Sequence, residues 1–210
     1  GDILPLSSGH VGSMGGILAM KRGECHIAPI HLLDEETGEY NISYVKKYFP
    51  NEKMALIKGV KRQQGFIVRK GNPKNIKDFK DLAREDILYI NRQRGAGTRI
   101  LLDYHLRVDN INPDKVKGYE REMTTHMAVA TGVKTGTADC GLGIYSAAKA
   151  LDLDFIDVTY EDYDFLIPEK LLDEPMIAEF IQVLKSKEFQ DRVQALGGYK
   201  FGETGEIIII

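Results

Sequence analysis

Three arginines, Arg92, Arg94 and Arg99, stand within the nine residues "NRQRGAGTR" at 91–99, around Gly95 and Gly97. Guanidinium groups beside a glycine backbone that lets N–H groups approach closely make up a chemistry for holding an anion. The stretch follows the apolar run "DILYI" and precedes "ILLDYHL", whose spacing is helical. It therefore falls between a strand and a helix N-terminus, where unpaired N–H groups and partial positive charge add to the attraction. Two nucleotide signatures are incomplete in it. The lysine of a Walker A loop is absent, and Ile100 occupies the third glycine position of a dinucleotide fingerprint, although Glu120 or Glu122 stands at the distance of a ribose acceptor. A solvated turn with surface ion pairs is the plain alternative.

Other reactive residue types are scattered. His31 with Asp34 has the look of a base and its orienter, with turn capping as the simpler reading. No H-x-x-x-H or C-x-x-C spacing supports zinc, so no metal ligand is assigned. No serine lies in G-x-S-x-G, and no catalytic residue is assigned. Cys25 and Cys140 read as buried free thiols.

The elements that must position the arginine loop alternate along the chain, which implies an α/β fold. "GGILAMKRG" reads as a helix closed by Gly23, "CHIAPI" as a buried strand, and "NISYVKKYF" as a helix capped by Asn41. "MALIKGVKRQQGFIVRKGNP" reads as extended chain interrupted by Gly59 and Gly65, followed by the helix "IKDFKDLAR" and the strand "ILYIN". Beyond the loop come a helix from Thr98, a strand near "VKGYERE", the helix "THMAVATGVKTG", the strand "ADCGLGI", the extended runs "DFIDVTY" and "DFLIP", and a closing helix from about Pro175 to Leu196. "GSMGGILAMKRGECHIAPI" and "THMAVATGVKTGTADCGLGI" share one register, in which Gly23 answers Gly136 and Ser13 answers His126. Both units run from helix to strand, so Ser13 and His126 would sit at equivalent helix starts, facing a shared ligand if two lobes oppose each other.

Composition narrows the class. A chain of 210 residues with 43% apolar residues can bury a core as one domain or two lobes. A net charge of −3 supplies no general basic field, so direct nucleic-acid contact is not expected. No apolar stretch is long enough to span a bilayer, and "GDILPLSSGH" lacks the features of a signal peptide, so a cytoplasmic location and no membrane contact are expected.

The motifs "VGSMGGILAMKRGECHIAPIHLLDEETGEYN", "GNPKNIKDFKDLA", "INRQRGAGTR", "GYERE", "THMAVA" and "ADCGLGI" together resemble, in order and over nearly the whole chain, the periplasmic-binding-protein-like domain fused to some molybdopterin molybdotransferases and helix-turn-helix regulators. The resemblance implies a two-lobed type II fold with a central ligand cleft, related to molybdate- and tungstate-binding proteins. Lobe I would comprise 1–68 with 162–210, and lobe II 69–161. It implies an anion held by Ser8, by Gly12 with Ser13, by Arg94, Gly95, Ala96, Gly97 and Thr98, and by Thr125 with His126. Ala96 departs from the serine that related anion loops show at this position. Arg94 is expected to fold over the concavity, and Arg99 to face solvent or the other lobe. "VGSMGG" follows "ILPLSSGH" directly where such folds insert a helix and a strand, so a segment is expected to be missing between His10 and Val11.

The expected function is reversible binding of molybdate or tungstate, with no tightly bound cofactor, as a sensor or delivery domain linked to molybdenum cofactor biosynthesis. A fused or associated molybdotransferase or helix-turn-helix domain would be its partner. The alternative is a substrate-presenting part of a molybdotransferase that binds a phosphorylated pterin or nucleotide. A third reading is an oligomerisation module built on strand addition by the closing "EIIII".

Overall fold

The computed structural model describes residues 12–210, so Ser8 and the junction between His10 and Val11 lie outside the described residues. Helices and strands alternate as α1 (Gly12–Lys21), β1 (Ala28–Ile30), α2 (Ile42–Tyr48), β2 (Met54–Val68), a 3-10 turn (Phe79–Ala83), β3 (Tyr89–Arg92), α3 (Gly97–Val108), β4 (Glu122–Met123), α4 (His126–Lys134), β5 (Cys140–Ile144), α5 (Tyr145–Ala150), β6 (Asp154–Pro168), α6 (Pro175–Lys185), α7 (Lys187–Leu196), β7 (Tyr199–Lys200) and β8 (Ile207–Ile209). The described strands form one mixed sheet in the order β1-β6-β2-β5-β3-β4, with β7 and β8 also paired to β2.

The 15-residue strands β2 and β6 run antiparallel from Met54 opposite Pro168 to Val68 opposite Asp154 and form the spine. At one end, Met54 and Leu56 pack with Ile17 of α1, Ile30 of β1 and Val45 of α2, while Ala55 and Ile57 pack with Ile177 and Leu184 of α6. At the other, Phe66 and Val68 pack with Phe79, Tyr89 and Leu102, while Ile67 packs with Val129 and Val133 of α4 and Ala147 of α5. These are the two lobes. Each end of the spine is covered on both faces, which is why "MALI" and "GFIV" are unbroken apolar runs. The polar stretch "KGVKRQQ" is the crossing between the two cores.

Gly59 and Gly65 do not interrupt the strand as expected. The pairing register with β6 shifts beside each of them, between Ile57 and Val60 and between Gln64 and Gly65. A Cβ on Gly59 would collide with the Tyr163 carbonyl oxygen, and one on Gly65 with that of Ile156. Bulges at glycine keep the ladder continuous while bending it. "DFIDVTY" and "DFLIP" are likewise one strand, β6.

Four further local expectations are corrected. "IKDFKDLAR" forms only a 3-10 turn, with Asp78 and Asp81 closing a reciprocal capping box. Asn41 precedes α2 at φ 72 without capping it, because its side chain instead accepts from the Leu32 N–H at 2.8 Å and donates to Asp164 Oδ2 at 2.9 Å. The closing helix breaks at Ser186, whose extended backbone ends α6 and whose hydroxyl accepts from the Phe189 N–H at 3.2 Å to start α7. The terminal isoleucines do add a strand, but to their own chain: Ile207, Ile208 and Ile209 pair with Ile57, Leu56 and Ala55 of β2.

Both cysteines are free, Cys140 buried and Cys25 half-buried. Among the described residues no helix is long and apolar enough to cross a membrane.

Candidate functional site

Where the spine crosses between the lobes, a cavity of about 310 Å³ opens onto Gly12, Ser13 and Gly16 of α1, Pro29 and His31 at β1, Arg62 of β2, Arg92 of β3, Thr124 to Met127 at the start of α4, and Tyr163 of β6. Two helix N-termini and two arginines therefore meet at one concavity. The helix starts matter because their first N–H groups lack intrahelical partners. At α4, Thr125 caps the helix by accepting from the Ala128 N–H at 3.0 Å, and its own hydroxyl proton remains available to donate. At α1, Ser13 Oγ accepts from the His31 N–H at 3.1 Å, and its proton has no acceptor among the described residues.

Arg92 is the last residue of β3 and only 7% exposed. Its Nε donates to the Met123 carbonyl and its Nη2 to the Thr124 carbonyl, each at 3.2 Å. Nη1 is buried and has no hydrogen-bond partner among the described residues. Burial, followed by the neighbouring Arg62 charge, lowers its pKa to about 10, which leaves it a cation at neutral pH.

Arg62 is tied down from the opposite strand. Its Nε and Nη2 both lie 2.6 Å from Glu161 Oε1, and its guanidinium lies 4.7 Å from the centre of the Tyr163 ring. Glu161 is 2% exposed, and its other oxygen is 3.0 Å from His31 Nδ1. Burial pushes the Glu161 carboxyl up, but the Arg62 guanidinium and then His31 outweigh this and hold it down at about 2. The orienting carboxylate of His31 is thus Glu161, not Asp34, whose Oδ1 accepts from the Glu36 N–H at 2.9 Å within its own turn. His126 is driven well below the ordinary imidazole pKa, first by burial and then by Arg62, Arg92 and His31, so it meets a ligand as a neutral ring.

The structure brings Gly12, Ser13, Thr125 and His126 to this cavity. Ser13 and His126, the pair aligned by internal similarity, occupy matching helix starts on it, and the glycines of that alignment, Gly23 and Gly136, both take positive φ, 73° and 82°. The remainder of the arginine loop is placed elsewhere. The Arg94 side chain is 79% exposed, with Glu122 at 3.9 Å. The Gly95 carbonyl accepts from the Met14 N–H at 3.2 Å and the Ala96 N–H donates to the Gln93 carbonyl at 3.2 Å. Gly97 packs under His31, where a Cβ would collide with the imidazole, and Thr98 Oγ1 donates to Gln64 Oε1 at 3.2 Å. Arg99 is buried rather than solvent-facing, because it stacks on Tyr119 at 4.3 Å and bonds Glu122 at 3.0 Å. Among the described residues no group of three or more His, Cys, Asp or Glu is placed to hold a metal ion.

Arg62, Glu161 and Tyr163 carried no motif in the sequence. Position could have singled out Arg92 over Arg94, since it closes the apolar strand whose carboxyl end meets the cleft.

Comparison with known proteins gives the lineage. Residues 3–185 match the family model of a PBP superfamily domain. The chain is 40% identical over 198 residues to the uncharacterized protein YvgK of Bacillus subtilis, covering 94% of this chain and 64% of that protein, so it spans less than two thirds of that relative. It is 34% identical over 110 residues to an uncharacterized protein in the 5′ region of a ferredoxin 2Fe-2S gene of Clostridium pasteurianum, covering 52% of this chain and 97% of that one. Among solved structures, a substrate-binding protein from Clostridium perfringens with phosphate bound superposes with a TM-score of 0.64 at 16% identity, covering 91% of this chain and 86% of that one. The sulfate-binding protein SubI of Mycobacterium tuberculosis superposes with a TM-score of 0.61 at 14% identity, covering 90% and 73%. At such identities the likeness is one of fold.

Proposed function

The chain belongs to the PBP superfamily, and on that premise we propose that it reversibly binds a small oxyanion group in the cleft lined by Ser13, Arg62, Arg92, Thr125 and His126. The observation that carries this reading is Arg92, which lines a cavity shared by two helix N-termini and whose buried Nη1 has no hydrogen-bond partner among the described residues. A buried cationic donor without an acceptor is costly, and an anion supplies what is missing. The fixed charges agree in sign: Arg62 and Arg92 against Glu161 leave one net positive charge, and each helix start adds roughly half a charge. Neighbours in fold bind phosphate and sulfate.

Molybdate or tungstate as the free anion, with a role in molybdenum cofactor biosynthesis in the cytoplasm, is the finer reading, and it rests on the sequence resemblance. With it go the lobe limits at 68/69 and 161/162 and an associated molybdotransferase or helix-turn-helix domain. The pair of guanidiniums favours a second reading of the same cleft, a phosphorylated pterin or nucleotide presented to a molybdotransferase, since guanidinium suits phosphate geometry.

A thermal-unfolding panel tests the proposal. Molybdate, tungstate, sulfate, phosphate and simple carboxylates are compared, and a true ligand at about 100 times its dissociation constant stabilises the native state by about 2.7 kcal/mol. The expected result is a selective rise in melting temperature with one or more tetrahedral anions. An unchanged melt across the panel and across phosphorylated pterins and nucleotides removes the proposal.

A further inference from the structure

We infer that the oxyanion group filling this cleft is the phosphate end of a small organic phosphomonoester, whose carbon-bearing part lies against Tyr163, Pro29 and Met127. The inference rests on the reading that the cleft holds an anion, and it selects what that anion is attached to.

Size is the first argument. The cavity volume of about 310 Å³ exceeds what a five-atom tetrahedral anion occupies. It also stands at the lower end of the range for small-molecule sites, about 300–1,000 Å³.

The second argument is the division of the lining. Hydrogen-bonding groups come from the start of α1, the end of β3 and the start of α4. The side chains of Pro29 and Met127 and the ring face of Tyr163 carry no donor for a free oxyanion. Met127 is the second residue of α4 and, although it lines the cavity, remains 43% exposed. A polarizable, unbranched side chain on the lining adapts to an apolar group. Tyr163 itself is held in place, with the His31 ring stacked on it at 5.4 Å between centroids and the Phe165 ring edge-on at 5.7 Å. A fixed ring beside fixed donors is the usual construction of a site that reads an anionic group and its substituent together.

Charge gives the third argument. One net positive charge from Arg62, Arg92 and Glu161, plus about half a charge from each of two helix starts, sums to roughly two. A phosphomonoester carries about −1.5 to −2 at neutral pH and matches this as a free dianion such as molybdate does, so charge excludes the simple carboxylate while size and lining separate the ester from the free anion.

Calorimetric titration of the 210-residue chain with inorganic phosphate, molybdate, glycerol phosphate and phenyl phosphate decides between the free and the esterified anion. Phenyl phosphate is expected to bind at least about tenfold tighter than inorganic phosphate, the gain for covering a small apolar group. In Tyr163→Ala that ratio is expected to fall below about threefold. Met127→Ala, exposed and so harmless to folding, is expected to lower the ratio by about half a log unit. Inorganic phosphate or molybdate binding as tightly as every ester overturns the inference while leaving the anion reading intact. Esters that bind tighter with a ratio unchanged in both variants overturn the placement against Tyr163 and Met127. No binding by any of the four probes overturns the inference, and the wider melting panel then decides whether the anion reading falls with it.

Discussion

Arg92→Ala is expected to weaken oxyanion binding by about ten- to a hundredfold, the loss of one hydrogen bond to a charged partner worth about 1.5–3 kcal/mol. The physical basis is that Arg92 lines the cavity with its Nη1 buried and unpartnered among the described residues, while Nε and Nη2 are fixed by the Met123 and Thr124 carbonyls. The guanidinium is thereby held before a ligand arrives, so little is spent on ordering it. Arg92→Lys retains the charge without the fork and is expected to fall between parent and alanine. Arg94→Ala serves as the contrast: its side chain is 79% exposed, and screening limits its influence to about twofold. Titration of the three variants with the tightest anion of the panel measures the differences. Equal affinities for Arg92→Ala and the parent would mean that the cavity is not where the anion sits.

Loss of the buried carboxylate should have the largest effect on folding. Glu161 is held at about 2 against an ordinary value of 4.5, so its contribution is fully present above about pH 4.5 and disappears as pH falls through about 2. A depression of this size corresponds to about 3 kcal/mol at neutral pH. Glu161→Gln is expected to cost a similar amount, because it leaves the Arg62 charge buried without a counter-charge. Urea unfolding followed from pH 6 down to pH 2 tests both statements. The parent should lose stability steeply over that range, and Glu161→Gln should lose about 3 kcal/mol less of it. Parallel curves would show that the Glu161 and Arg62 pair contributes no differential stabilisation.

The sequence disclosed the alternation and the helix starts better than the long strands, for a physical reason. Periodicity reports how a segment is buried, and β2 and β6 change surroundings midway. Each end of β2 is buried on both faces, while between the cores Lys58 and Val60 are half-buried and Lys61 is exposed. One strand therefore reads as two runs separated by glycine. Local signals performed unevenly for similar reasons. The reciprocal bonds of Asp78 and Asp81 close a turn only five residues long, so a capping signature need not introduce a full helix. Ser186 marks the break between α6 and α7 by a mechanism visible in "SKEF", a serine hydroxyl bonding the N–H three residues on.

The site shows the same division. Ser13 and His126 could be aligned because each lies at the start of a helix–glycine–strand unit, a pattern carried within about twenty residues. Arg62 and Glu161 are 99 residues apart and meet only through the antiparallel register of β2 with β6. No local pattern encodes that pairing: near His31 the sequence offers only Asp34, which caps its own turn as the simpler reading has it, while the ring meets the distant Glu161. Within "NRQRGAGTR" the glycines point to Arg94, while the arginine that lines the cavity is Arg92. Gly95 and Gly97 serve close packing against Met14 and His31, whereas the donor at the cavity belongs to the strand end before them.

Anomalous X-ray diffraction from crystals of the chain grown with tungstate tests the central claim most directly, because tungsten reports its own position independently of any side-chain assignment. The account predicts one dominant peak in the cavity between the N-termini of α1 and α4, with oxygens in hydrogen-bond reach of Arg92 Nη1 and of the Ser13 and Thr125 hydroxyls. A dominant peak beside exposed Arg94, or on surface lysines with the cavity empty, would contradict it.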